Sequence, residues 1–263
     1  MNDFLDRPRR PQDAPVAAAD APPLDAAARL SAIDWAEVGT ELDEQGAALL
    51  PGLLDPAACR ALEALYDVPD EAAPPLFRSR VVMERHGYGR GEYRYFAYPL
   101  PAPVEALRAN AYPPLARIAN QWNEALGVDV HYPARHADFL ARCHAAGQRR
   151  PTPLLLRYGP GDYNCLHQDL YGEHLFPLQL VILLSEPGRD FEGGEFVMTE
   201  QRPRMQSRPM VLPLGQGDAA VIAVQHRPAR GARGVHRVTL RHGVSRVRAG
   251  RRHALGVIFH DAL

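Results

Sequence analysis

The chain contains no lysine: all 30 of its strongly basic side chains are arginine. In a sequence this rich in alanine and proline, the bias reflects overall composition rather than a function. Neither sign of charge dominates, since 31 acidic groups leave a formal net charge of -1. No global field therefore draws the protein to nucleic acid or to an acidic membrane. Cysteine is scarce: Cys59, Cys143 and Cys165 form no CxxC pair and leave an odd thiol, which excludes a disulfide framework and fits a reducing cytoplasm. No uninterrupted apolar run is long enough to span a bilayer. The amino terminus lacks the apolar segment of a secretory signal. Residues 1–30, dominated by Pro, Ala and Asp, hold too little apolar surface to order themselves and are expected to be a disordered tail. There is no internal repeat.

What remains is an ordinary globular composition, 46% hydrophobic and 23% charged, in a length that supports one substantial core. Ile33, Trp35, Val38 and Leu42 recur with helical spacing, and Gly46 suits the end of that helix. AALLPGLLDP reads as a short apolar strand running into a turn. Asp55 and Pro56 then open a second helix carrying Leu62 and Leu65. The stretch from Arg78 to Phe96 predicts a strand followed by a mobile loop, whose tyrosines, with Arg90 and Arg94, stand equally as a substrate lid or as loop packing. Helices are expected from about Pro113 to Leu126 and from His136 to Ala146. After Pro151 the texture changes to PLLLRY, LQLVILL, GEFVMTE, DAAVIAV and HALGVIF, short β-rich runs between turns. This pattern predicts an α+β chain: residues 31–150 form a helical amino-terminal support, and residues 151–263 form a sandwich, jelly-roll or barrel core.

The chemistry concentrates in LLLRYGPGDYNCLHQDLYG. His167 and Asp169 are two residues apart, so on extended backbone both side chains project to one face. An imidazole and a carboxylate placed so can share one cation, and a histidine from a distant strand would complete a 2-His-1-carboxylate facial triad. Downstream lie DFEGGEF, with a glycine pair suited to a tight turn, and HGVSRVRAGRRHALGVIF, which carries His242 and Arg252. On a strand, Arg252 shares its face with Ala254 and Gly256, leaving room for a dicarboxylate that the guanidinium fork can grip in bidentate fashion.

Together these motifs resemble the prolyl-4-hydroxylase-like branch of the 2-oxoglutarate/Fe(II)-dependent dioxygenase superfamily: His-x-Asp, a later F-x-G-G-E strand, then His, Val, Gly and Arg ahead of an apolar strand. The resemblance covers roughly Pro151 to Asp261. It implies a double-stranded β-helix (jelly-roll, cupin-like) core and an oxidoreductase that uses Fe(II), 2-oxoglutarate as cosubstrate, and O2, with ascorbate as a reductant. It assigns His167, Asp169 and His242 to the metal. Arg252 would take the distal carboxylate of 2-oxoglutarate, and Tyr158 would help to hold the cosubstrate. His236, in GVHRVTLRHGVS, also precedes a strand-like run and is the competing distal ligand; the spacing of His242 to Gly250 and Arg252 favours His242.

The reaction implied is hydroxylation of an unactivated C–H bond with release of succinate and CO2, on a protein side chain such as proline or on a small molecule. RYGPGDYNCLHQD also resembles the corresponding stretch of alkylation-repair demethylases, which hydroxylate N-alkyl groups of extruded nucleobases, although no further arginine follows Arg252 as in that family. A cupin-like binding or sensing module without catalysis is the third reading, which an intact His167, Asp169, His242 and Arg252 disfavours. The arginines between Arg227 and Arg252 read either as an electropositive rim for an acidic partner or as a solvated surface. The remaining histidines read as surface or packed residues, and Gln179 either faces the pocket or is a satisfied core amide.

Overall fold

Short apolar runs punctuated by glycine and proline pair with partners far along the chain. The structure, a computed structural model, describes residues 26–69, 74–202, 204–232 and 234–263. Its strands are β1 (Ala47–Leu50), β2 (Phe77–Val82), β3 (Gly89–Arg90), β4 (Glu92–Phe96), β5 (Leu154–Tyr158), β6 (Tyr163–His167), β7 (Leu178–Leu183) and β8 (Phe191–Gly193). Then follow β9 (Phe196–Gln201), β10 (Arg208–Leu212), β11 (Ala219–Ala223), β12 (His226–Gly231), β13 (Gly234–Val244), β14 (Val247–Gly250) and β15 (Arg252–Val257). A major antiparallel sheet runs β1-β11-β7-β15-β5-β4-β2, and a minor one runs β10-β9-β13-β6-β3, with β12 on β13. Two antiparallel sheets facing each other form the double-stranded β-helix expected of the carboxy-terminal half.

That half is not separate from the rest. β1, β2 and β4 extend the major sheet and β3 extends the minor one, so residues 31–150 supply strands as well as helices. The expected mobile loop after β2 is largely β4, whose Tyr93 and Tyr95 alternate with Arg94; Gly87, Gly89 and Gly91, all at positive φ, turn the chain into it. Five α-helices are described: Ala26–Ser31, Trp35–Gln45, Pro56–Ala64, Ala102–Leu126 and His136–Ala145. The first begins inside the expected tail, because Leu30 is buried in the core; residues 1–25 lie outside the described part of the chain. Asp34 and Asp55 cap their helices, and Gly46 ends the second at φ 73°. The long helix starts eleven residues before the expected Pro113, because burial of Tyr112, Leu115, Ile118 and Trp122 outweighs the hydrogen bonds that Pro113 and Pro114 remove.

Beneath the major sheet Tyr112, Phe139, Phe176 and Phe259 pack ring to ring, with centroids 5.0 Å apart for Tyr112–Phe176 and 5.2 Å for Phe176–Phe259. A fully buried ion pair ties the carboxy terminus to the long helix: Arg108 Nη2 donates to Asp261 Oδ1 at 2.7 Å. Arg108 also donates to the Ile258 and His260 carbonyls, and Tyr98 and His144 reach the same carboxylate. Burial alone would raise the Asp261 carboxyl, but Arg108 and these hydrogen bonds outweigh it and hold the group below its ordinary value.

Asp261→Asn leaves Arg108 buried without its counter-charge and is expected to cost about 3–5 kcal/mol in urea unfolding at neutral pH. Because the folded carboxyl titrates below its unfolded value, its contribution is complete above about pH 4 and fades as pH falls through the folded value. The gap between wild type and variant should therefore close in acid.

Candidate metal and cosubstrate site

β6 and β13 lie side by side in the minor sheet with His167 directly opposite His242. Antiparallel pairing thus brings together two residues 75 positions apart in sequence (242 minus 167). Asp169 follows β6 by two residues. His167 Nε2 stands 3.5 Å from Asp169 Oδ1, and His242 Nε2 stands 3.3 Å from Oδ2. One ligand atom from each of the three residues can be chosen so that all lie within 4.8 Å of one another, a spacing that one small cation can bridge.

The surroundings of His167 and Asp169 orient the atoms they offer. His167 Nδ1 lies 2.8 Å from the Cys165 carbonyl, which can only accept, so Nδ1 carries the proton and Nε2 the lone pair. Tyr171 Oη donates to Asp169 Oδ1 at 2.8 Å. Burial disfavours charge on all three groups. For Asp169 the two imidazoles outweigh burial and hold the carboxyl well below its ordinary value. For His167 the Asp169 carboxylate and the Cys165 carbonyl raise the imidazole; for His242 burial prevails and keeps it neutral, with a lone pair free.

These groups open into a cavity of about 390 Å³ between the sheets, also lined by Tyr158 and Arg252. Arg252 is 1% exposed, and its Nε and Nη1 have no hydrogen-bond partner. Its guanidinium lies 5.5 Å from the Tyr158 ring centre and 5.8 Å from that of Phe191. Burial lowers its pKa, yet an arginine stays charged, so the cavity holds a cation whose Nε and Nη1 donors face no acceptor. Tyr158 is buried, its phenol is pushed up to about 12 by that burial, and its Oη accepts from Asn164 Nδ2 at 3.4 Å. Ala254, Gly256 and Ile258 continue the Arg252 face along the floor. This donor set fits a divalent metal at one place and a dicarboxylate reaching from it to the arginine.

All five residues singled out in the sequence thus line one cavity. His236 does not: it sits in the β12–β13 hairpin opposite Ala229, six residues and roughly 20 Å along β13 from His242. Sequence reasoning missed Tyr171, Asn164 and Gln148. Tyr171, two residues beyond Asp169, carries a spacing signal. Gln148 carries none, yet it clamps the loop after Asp169, donating to the Tyr171 and His174 carbonyls and accepting from the His174 amide. Gly172, at φ 89°, is required there, because a Cβ would stand 2.5 Å from Gln148 Cδ.

Comparison with known proteins agrees with this geometry. The Oxygenase-NA family, described as an oxygenase catalysing oxidative methylation of damaged DNA, matches residues 91–262. The chain belongs to this family. An uncharacterized protein of Mycobacterium tuberculosis, found in two strains, is 47% identical over 196 residues, covering 73% of this chain and 84% of the relative. A prolyl 4-hydroxylase structure from Phytophthora capsici shares the fold at TM-score 0.50 and 15% identity, covering 92% of this chain and 66% of that one. An oxidoreductase of the 2OG-Fe(II) oxygenase family from Burkholderia pseudomallei aligns at TM-score 0.49 and 20% identity, covering 88% of this chain and 94% of that one. As an Oxygenase-NA member the protein is an oxygenase, and so an oxidoreductase.

Tyr171→Phe removes only the hydroxyl that orients Asp169. It is expected to weaken Fe(II) binding about tenfold or more in anaerobic titration, with little change in the thermal midpoint.

Proposed function

We propose that His167 Nε2, the Asp169 carboxylate and His242 Nε2 hold the iron, that Arg252 and Tyr158 hold the distal carboxylate of 2-oxoglutarate, and that the substrate is an N-alkylated nucleobase in DNA. The observation that carries the site assignment is the convergence of three candidate ligand atoms and a buried guanidinium with unpartnered nitrogens on one cavity. When bound, iron with 2-oxoglutarate and O2 supplies the oxidising power that hydroxylates a C–H bond.

The chain's own groups do the rest. The Cys165 carbonyl keeps the His167 proton on Nδ1, and Tyr171 keeps the Asp169 carboxylate turned. Arg252 meets a carboxylate with two free N–H directions, and the Tyr158 phenol, neutral at physiological pH, offers a proton to the same group. Val181, Ala254, Gly256 and Ile258 keep the floor apolar and water out.

The nucleobase reading is supported by the family description and by the aromatic wall at the opening. Tyr88, 51% exposed, lines the cavity and is backed by His86, whose ring stacks on it at 5.3 Å. A flat exposed ring beside the opening gives an extruded base a face to stack on. The reaction would convert N–CH3, O2 and 2-oxoglutarate to N–CH2OH, succinate and CO2; the hydroxymethyl group then leaves as formaldehyde, restoring N–H.

Anaerobic addition of Fe(II) and 2-oxoglutarate should give the weak visible charge-transfer band of the chelate. His167→Ala and His242→Ala should abolish it, His236→Ala should retain it, and Arg252→Ala should demand far more 2-oxoglutarate. Loss in His236→Ala with retention in His242→Ala would overturn the distal assignment. With methylated single-stranded DNA, succinate and formaldehyde should appear in equal amounts. Turnover on prolyl peptides or a small molecule, but not on alkylated DNA, would replace the nucleobase reading with a hydroxylase one.

A further inference from the structure

β7 is buried along its whole length, and Gln179 is its only polar side chain. The residue is 3% exposed and lines the cavity together with Val181. Its Oε1 has no partner, while its Nε2 lies 3.3 Å from His242 Nε2. Turning the amide over exchanges the two atoms and orphans the NH2 group instead. An apolar strand therefore carries one amide that the protein does not fully satisfy, leaving its desolvation uncompensated. Leucine or methionine would avoid that cost, so stability does not account for the glutamine.

The ligand set does. His242 Nε2 is the atom offered to the metal, and it is also the acceptor nearest the Gln179 amide. A metal that takes this lone pair removes that acceptor, leaving an N–H donor beside the metal with nothing of the protein to bond. The strand register places Gln179 at one end of the cavity and Arg252 at the other: Val181 pairs with Gly256 and Leu183 with Ala254, so β7 runs from the metal toward the arginine. A diacid lying along this floor meets a buried donor at each end, with apolar Val181, Ala254 and Gly256 between.

We propose that Gln179 is a positioning residue for the cosubstrate, its amide donating a hydrogen bond to the carboxylate by which 2-oxoglutarate chelates the iron. The proposal rests on the site assignment above. Arg252 anchors the distal carboxylate; Gln179 fixes the rotation of the chelating end. One hydrogen bond to an ionised acceptor is worth enough to shift binding about tenfold.

Gln179→Leu deletes the amide at nearly constant volume and should melt at or above the wild-type temperature; Gln179→Met is the second variant should leucine fail to pack. Fe(II) affinity measured without 2-oxoglutarate should stay within about twofold. The dissociation constant for 2-oxoglutarate, read anaerobically on the iron-loaded full chain, should rise about tenfold, and the charge-transfer band should move in energy, which a merely structural role would not produce. Gln179→Glu, which sets a like charge beside the chelating carboxylate, should bind more weakly still. Variants that bind 2-oxoglutarate like wild type, with an unmoved band, would overturn the role of Gln179 while leaving the site assignment standing. A wild-type chain that binds neither iron nor 2-oxoglutarate would overturn both.

Discussion

Two imidazoles from strands far apart in sequence meet because β6 and β13 are hydrogen-bonded neighbours in a register that sets His167 against His242, ring centres 4.3 Å apart. Side chains alternate faces along a strand, so a one-residue slip would turn His242 out to solvent and bring Arg241 in. The register is held from both sides: β9 pairs with β13 along six residues, and a β-bulge interrupts the ladder just beyond His242. Arg241 faces outward and is exposed, as the same alternation requires. The cavity, its charge and its chemistry all follow from this pairing.

The interior of that cavity breaks the usual rule that buried polar groups are satisfied. Arg252 and Gln179 hold unpartnered polar atoms, and Asp169 sits in contact with two imidazoles. Buried carboxylates elsewhere are met by partners: Glu200 by Arg202, Arg208 and Arg227, and Asp261 by Arg108, Tyr98 and His144. Unsatisfied polar atoms of Arg252 and Gln179, gathered in one cavity beside His167, Asp169 and His242, mark a place organised for ligands before they arrive.

The helical half supports this arrangement from below. Arg108 on the long helix grips the segment after β15, and Gln148, just beyond the helix His136–Ala145, holds both that segment, through the Asp261 carbonyl, and the loop after Asp169. The amino-terminal half is therefore no detachable prop. Its strands widen both sheets, and its side chains fix the loop that carries Asp169.

Much of this was legible in the sequence by itself. The shortness and β-rich content of PLLLRY, LQLVILL and HALGVIF between turns determined β5, β7 and β15, and the two-residue spacing of His167 and Asp169 determined that both would face one way. Arg252 beside Ala254 and Gly256 was readable as an inward cation with space before it, because strand period depends only on neighbours. Long-range pairing is another matter. Tertiary structure decided that the hairpin strand β13 delivers His242 rather than His236, that the stretch after β2 is a paired strand rather than a loop, and that Gln148 and Tyr171 serve the site. Local spacing hints at His242 and Tyr171 but cannot make the contacts: they arise only when two sheets close over one cavity and each buried side chain must find a partner or be left for a ligand.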